Sequence, residues 1–394
     1  MLIETGAIMV GVSAFAYVSQ HFHWKLRRTF MYTMNMCGMV VKHGKAIHRI
    51  KIKTCTHDSM VIQLPIGLPV SKFVTCIEAL EQALGCVVRV KHDEGSIVQL
   101  QFGWFKLKHK VYYKPDMAEG IAIPLITPFG QIVYNFADES SCHMLIGGST
   151  RMGKTVLLRL IGTHTMLATD GKCDIYFMDN KINDLWMFKD IPQIQIAETL
   201  DEAKFAVLKV VEETARRKAL LKEKGDVVDL KGFRKKYPDI PINPIFIIID
   251  EYGRFAEDED FQTAITNIAE TAGYLDVHLV ISAQRPDVKD VLKPRIRANL
   301  LGRLAFTTAD EANSMIVLGV PDAAHLGRIQ GRAVLMDGDK HKVQVPYLPD
   351  NTAAKLLDKY RRNNDVKRER QSDNHVPENI PGNESRSDWF DHLS

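Results

Sequence analysis

Eight consecutive residues, Gly148, Ser149, Thr150, Arg151, Met152, Gly153, Lys154 and Thr155, have the types and spacing of a loop that wraps phosphates. They match G-x-x-x-x-G-K-[ST] at every fixed position. An apolar strand signal (CHMLI) precedes them and a helical pattern (TVLLRLIGTHTML) follows. Glycine lets the backbone fold so that its N–H groups point inward at an anion. The helix beginning near Lys154 adds its positive end. The Lys154 ammonium is suited to the β- and γ-phosphates, and the Thr155 hydroxyl to Mg²⁺. ATP and Mg²⁺ are the ligands this chemistry calls for. A chance glycine turn would lack the flanking strand and helix.

A second acidic element follows. The strand-like run Ile245–Ile249 ends in Asp250 and Glu251. Asp250 would hold the Mg²⁺ hydration shell, and Glu251 would orient and polarise the attacking water. The alternative is an N-cap pair for the next helix. The next apolar run, His278–Ala283, ends in Gln284, Arg285 and Pro286. Gln284 is placed to sense a γ-phosphate, or else to bond backbone in a turn. Residues 285–303 hold Arg285, Lys289, Lys293, Arg295, Arg297 and Arg303 against Asp287 and Asp290 only. This local excess would face DNA or a neighbouring subunit's nucleotide, or be a solvated basic face. A second basic cluster, Lys231, Arg234, Lys235 and Lys236, reads as loop-like up to Pro238.

The elements that must position these groups alternate strand and helix. CDIYFMD, IFIIID, VHLVISA and RLAFTT are short, nearly all-apolar runs, suited to strands buried on both faces of a parallel sheet. Residues 201–224 read as a long helix with Phe205, Leu208, Val211, Ala215 and Ala219 on one stripe, ended by Gly225. Asp337 and Gly338 mark a hairpin. The fold class is therefore α/β with a P-loop motor. Before it, residues 46–103 carry strands (HRIKIKT, SMVIQLP, CVVRVKH, SIVQLQF) around one helix, VSKFVTCIEALEQALG, and form a small α+β unit without a catalytic cluster. A Pro- and Gly-containing connection runs from about Pro115 to Gly130.

Composition bounds the rest. The chain has 394 residues, 45% hydrophobic and 25% charged, which excludes a wholly disordered chain and a polytopic membrane protein. Its net charge is only +3, so any basic surface must be local. Cys37, Cys55, Cys76, Cys86, Cys142 and Cys173 are scattered without a C-x-x-C pair, pointing to a reducing compartment. Residues 1–18 are mostly apolar with one charge, Glu4, and Lys25, Arg27 and Arg28 follow. That order fits an uncleaved anchor in the cytoplasmic membrane with the bulk of the chain in the cytoplasm. The alternative is a buried or partner-bound apolar helix. The expected organisation is an anchor and basic segment at 1–45, the small unit at 46–115, the ATPase at 116–350 and a charged, largely disordered tail at 351–394.

HMLIGGSTRMGKT, IYFMDNKINDLWMFKDIPQI, EETARRKALL with Arg216 and Arg217, IIIDEYG and HLVISAQRPDV together resemble the FtsK/SpoIIIE family of DNA-translocating ATPases. The likeness runs from about His48 to Leu348 and is strongest to short members on conjugative plasmids and integrative elements. It implies a RecA-like fold, a hexameric ring around double-stranded DNA, and ATP bound between subunits. It also implies a basic residue supplied by the neighbour, with Arg303 first and Arg297 second. Lys289, Lys293, Arg234 and Lys235 are the candidate DNA contacts. Chromosome-partitioning members usually carry several membrane spans, a long linker and a C-terminal winged-helix domain. The chain as read has no room for these, which favours conjugative transfer, with relaxase and secretion-channel proteins as partners. Chromosome partition, and a type VII-like protein secretion ATPase, are the alternatives.

Overall fold

Along Ile245-Phe246-Ile247-Ile248-Ile249 every side chain is buried, and the two faces of this strand feed different cores. Ile245, Ile247 and Ile249 pack with Val207, Val210, Ile265 and Ile268. Phe246 and Ile248 pack with Leu157, Ile161 and Leu357. A strand apolar at every position has no solvent face, so helices must cover both sides of its sheet. The computed structural model describes residues 21–92, 94–138, 141–179, 184–283 and 292–372, with side chains up to 361 in the last helix. It divides into two units, residues 1–107 with 127–131, and residues 108–126 with 132–394.

The first unit contains α1 (residues 21–36), β1 (Val40–His43), β2 (Ala46–Arg49), β3 (Lys51–Cys55), β4 (Ser59–Gln63), α2 (Val70–Val74), α3 (Ile77–Leu84), β5 (Val87–Lys91) and β6 (Ile97–Gly103). β1 and β2 form a two-stranded sheet of their own. The other four strands form an antiparallel sheet in the order β3-β4-β6-β5. Leu26, Phe30 and Met34, spaced by four along α1, pack with Met60, Ile62, Leu80, Leu100 and Phe102. The basic segment expected to flank an anchor is thus part of this unit's core structure. The single helix expected over 70–85 is two. Thr75 Oγ1 donates to the Lys72 carbonyl (2.8 Å), a local bond that competes with helix continuation.

The second unit is built on ten strands in the order β11-β10-β12-β13-β9-β14-β15-β16-β7-β8. They are β7 (Ala122–Thr127), β8 (Gly130–Asn135), β9 (Met144–Gly147), β10 (Asp174–Met178), β11 (Ile194–Ala197), β12 (Ile245–Ile249), β13 (Val277–Ala283), β14 (Gly302–Phe306), β15 (Arg332–Asp337) and β16 (Asp339–Gln344). From β11 to β14 neighbours are parallel; β15 and β16 run antiparallel. The sheet is therefore mixed. The connection expected over 115–130 contains β7, whose Pro124 masked the strand signal.

Seven helices of this unit lie among the described residues: α4 (Lys154–Ala168), α5 (Leu200–Lys224), α6 (Leu230–Lys236), α7 (Glu259–Thr271), α8 (Pro294–Asn299), α9 (Glu311–Leu318) and α10 (Asp350–Ser372). Three readings change here. The buried stripe of α5 is Ala203, Val207, Val210, Thr214, Arg217 and Leu221, while Phe205 is exposed. Arg217 lies inside because its guanidinium donates to the carbonyls of Leu275 (2.8 Å) and Asn243 (2.7 Å) and to Glu213 (2.7 Å). The stretch 230–236 is a helix, capped by Asp229 accepting from the Gly232 N–H and anchored by Leu230 and Phe233. The tail begins as α10, since Ala353, Leu357 and Tyr360 fall at helical spacing and are buried. Among the described residues no helix is long and apolar enough to cross a membrane. The expected anchor at 1–18 lies outside them, as do Gln284, Arg285 and Lys289.

Candidate nucleotide site

The phosphate-loop residues leave the C-terminal end of β9, between the parallel neighbours β13 and β14. This is the edge where open α/β sheets bind ligands. The loop is braced from two sides. The Ser149 N–H donates to the Thr307 carbonyl (2.9 Å) just past β14, and the Gly331 N–H donates to the Met152 carbonyl (2.8 Å) just before β15. Gly148 has φ +137°, and a Cβ there would stand 2.7 Å from the Phe306 Cβ. Its side chain is excluded by both conformation and packing. Arg151 takes φ 63°, the left-handed region, without being glycine.

Lys154 opens α4 and is 6% exposed. Its Nζ donates to the carbonyls of Gly148 and Ser149, the latter at 3.0 Å, so the ammonium is folded onto the loop itself. Asp250 follows β12, is buried, and its N–H donates to the Met178 carbonyl (3.0 Å). Lys154, Thr155 and Asp250 line one cavity of about 640 Å³, together with Thr150, Arg151 and Gly153. A buried ammonium, a hydroxyl and a carboxylate converging at a helix start form a set that fits a phosphate chain and a divalent cation.

Glu251 does not line that cavity. Its backbone is left-handed (φ 62°) and its carboxylate pairs with Arg254 at 3.2 Å. Arg303 sits at the other end of the sheet. It is level with Leu145 on β9, and its guanidinium donates to the carbonyls of Leu300 (3.2 Å) and Arg297 (3.4 Å). Burial lowers its pKa from the ordinary arginine value. Arg297 is half-buried on α8, where Lys293 is the exposed N-cap. Lys235 is exposed on α6. Arg234, half-buried beside it, bonds the Ile242 carbonyl (2.9 Å) and pairs with Asp276, so its guanidinium is engaged within the chain.

The cavity has a second wall that motif reading does not reveal. His109, Lys110, Gln330, Gly331, Gln344, Val345 and Tyr347 line it. The Lys110 ammonium lies 4.0 Å from the Tyr347 ring centroid. Backbone bonds join the two segments: Tyr347 N–H to the Val111 carbonyl (2.7 Å) and Tyr113 N–H to the Tyr347 carbonyl (3.0 Å). Gln344 Nε2 donates to the Gln330 carbonyl (2.9 Å) and Gln344 Oε1 accepts from Arg332 (3.0 Å). An aromatic face beside a cation and amides is the chemistry of a site for a flat, polar ring. The only sequence signal was Gly331, a glycine directly before a strand.

Comparison with known proteins relates the chain to others by sequence and by fold. A DNA translocase FtsK from Caldanaerobacter subterraneus subsp. tengcongensis is 32% identical over 223 residues, 54% of this chain and 30% of that protein. The SpoIIIE DNA translocase of Bacillus subtilis is 28% identical over 234 residues, 55% of this chain and 29% of that protein. The chain thus spans less than a third of the length of either relative. In fold it is similar to the pCW3 conjugation coupling protein TcpA, solved as a monomer form with ATPγS. The TM-score is 0.60 at 22% identity, over 85% of this chain and 99% of that one. The sequence model of the FtsK/SpoIIIE family matches residues 107–323, more than half the chain and including the phosphate loop and Asp250, and the chain belongs to that family.

Proposed function

We propose that this chain is an ATP-driven DNA translocase serving conjugative transfer of a mobile element. The observation that carries the reading is the convergence of Lys154, Thr155 and Asp250 on one cavity in an FtsK/SpoIIIE-family chain. Loop N–H groups and Lys154 hold the phosphates. Thr155 and Asp250 hold Mg²⁺, which neutralises charge on the phosphate oxygens. Glu251 accepts the proton of the attacking water once it is turned from Arg254 toward the cavity. The second wall, Tyr347 with Lys110 and Gln344, takes the base. The resemblance in fold to a conjugation coupling protein over nearly all of that protein's length supports conjugation over chromosome partition.

The motor works as a ring of copies around duplex DNA, at the cytoplasmic membrane, with a neighbour's Arg303 or Arg297 completing each site. Lys293 and Lys235 are exposed and remain the candidate DNA contacts; Lys289 belongs with them by sequence. The domain plan is a small α+β unit followed by the ATPase, with residues 21–45 joined to the small unit. The deciding experiment measures ATP hydrolysis by the full chain with and without duplex DNA. Hydrolysis should rise with DNA and vanish in Lys154→Ala. Hydrolysis unaffected by DNA would remove the translocase reading, and hydrolysis retained by Lys154→Ala would remove the site.

A further inference from the structure

The helix α1 is two-sided in an unusual way. Leu26, Phe30 and Met34 are 2%, 0% and 1% exposed and hold it to the first unit's core. The opposite stripe, again spaced by four, is Trp24, Arg28, Tyr32 and Met36, with Lys25 and Arg27 beside it. Trp24, Tyr32 and Met36 are 56%, 66% and 71% exposed. The Arg28 guanidinium lies 5.2 Å from the Trp24 ring centroid, so cation and aromatic share one patch. Charge in this region is one-sided. From residue 5 to residue 57 there is no Asp or Glu, while Lys25, Arg27, Arg28, Lys42, Lys45, Arg49, Lys51 and Lys53 are all present. All eight are exposed. In a chain whose net charge is +3, this is a concentrated positive field.

We propose that the exposed face of α1 docks on an anionic lipid surface. The face combines residue types that suit such a surface. Lys and Arg near a membrane surface attract anionic headgroups. Trp and Tyr settle at headgroup depth, where one end of the ring is wet and the other apolar. Met36 and the faces of Trp24 and Tyr32 find an apolar layer just beneath. Duplex DNA would use the charges, but it offers nothing comparable to these exposed apolar groups. The apolar face of α1 is already spent on the protein core, so the helix lies along the surface with its aromatic and basic side down and does not insert. This inference rests on the reading that the chain works at a membrane, and it adds a second, charge-dependent attachment to any anchor in residues 1–18.

The test uses the full chain and vesicles of two compositions, phosphatidylcholine alone and phosphatidylcholine with phosphatidylglycerol, at low and high salt. Binding to the neutral vesicles reads the anchor; the increment on anionic vesicles reads the α1 face. Lys25→Gln with Arg27→Gln and Arg28→Gln should lower that increment by roughly 10²-fold, at about fivefold per basic side chain. Trp24→Ser with Tyr32→Ser should lower it roughly tenfold while leaving its salt dependence intact. Both variants change exposed side chains, and unchanged melting temperatures would verify their folding. An anionic increment without neutral binding supports the face and refutes the anchor. Neutral binding without an anionic increment does the reverse. If the triple variant keeps its lipid binding and loses duplex DNA affinity, the face belongs to nucleic acid and the proposal is overturned.

Discussion

Replacing Arg151 by glycine should make the protein more stable and a poorer ATP binder at once. Arg151 stands in the left-handed region at φ 63°. A non-glycine residue there costs about 1–2 kcal/mol. Glycine removes that strain but adds freedom to the unfolded chain, which costs about 0.5–1 kcal/mol. The net gain is roughly 0.5–1 kcal/mol, or about 1–4 °C in melting temperature for a unit of this size. The functional effect has the other sign. Arg151 lines the cavity with Lys154, Thr155 and Asp250, and among the described residues its side chain makes no hydrogen bond or ion pair. Its guanidinium is therefore available to a phosphate. A charge-assisted bond of this kind contributes roughly 1.5–3 kcal/mol, so its loss should weaken ATP affinity by about 10- to 100-fold. The assay is thermal melting without nucleotide, paired with ATP titration of the same samples. Arg151→Lys is the control: it keeps both the strain and the charge, so the melting temperature should hold and affinity should fall only partly. A lower melting temperature in Arg151→Gly would refute the strain argument. Unchanged ATP affinity would refute the phosphate contact, leaving the loop conformation without a functional reason.

Glu251→Gln should keep ATP bound and slow hydrolysis by roughly 10²–10⁴-fold, the range for losing a general base; equal losses of binding and turnover would assign Glu251 a structural role instead. Gly331→Ala places a Cβ 2.5 Å from Gln344 Nε2 and 3.2 Å from the Val345 carbonyl, at φ +76°. It should destabilise by about 1–3 kcal/mol and loosen the Gly331–Met152 brace, seen as a lower melting temperature together with weaker ATP binding. His143 is buried, accepts the Leu279 N–H at Nδ1 (3.0 Å), and burial pushes its pKa down to about 3. Between its unfolded value of 6.5 and about 3, the unfolded chain holds the extra proton, so stability falls as pH drops through that window and is complete above it. The slope is at most about 1.4 kcal/mol per pH unit, and urea midpoints at about pH 7 and about pH 5 should converge in His143→Asn relative to the parent.

What the sequence made legible is what chemistry forces to be contiguous. A loop that wraps phosphates needs its glycines and lysine within a few residues, and a strand that presents a carboxylate at its tip needs the carboxylate next in line. Both are contiguous in the sequence, at 148–155 and 245–251. The second wall was not, because it is made by the sheet order. Lys110, Gly331 and Tyr347 come from separate segments, and they meet only because the chain pairs the backbone of 111–113 with Tyr347 and hangs β15 beside β14. No spacing rule links residues more than 200 positions apart. The α5 stripe failed for a different reason. Hydrophobicity alone puts Phe205 on the stripe, yet Phe205 is exposed with the Lys209 ammonium 4.4 Å from its ring centroid, while the Arg217 guanidinium can be buried because two carbonyls and a carboxylate accept its hydrogen bonds. The run 230–236 read as loop because its polar majority hid two anchors, Leu230 and Phe233, three apart and both fully buried.

The placement of Arg303 constrains how such a motor could be completed. Along β14, Ala305 is level with Gly147, the last residue before the loop, and Arg303 lies two residues further back, about 7 Å at the rise of a strand. Its bonds to the carbonyls of Leu300 and Arg297 draw the guanidinium farther still from the phosphate edge. Among the described residues, Lys154 and Arg151 are the cations that line the cavity near Thr155 and Asp250, with Lys110 across from them on the second wall. A role for Arg303 in hydrolysis would require the guanidinium to exchange two backbone carbonyls for a phosphate. That exchange trades neutral acceptors for a charged one, which favours it whenever a neighbour's nucleotide is within reach. The two arginine candidates differ in what their side chains already hold. The Arg297 carbonyl is already occupied by Arg303, but its side chain is not spent on that bond. Arg297 can therefore reach a neighbour without dismantling the turn before β14, whereas Arg303 cannot.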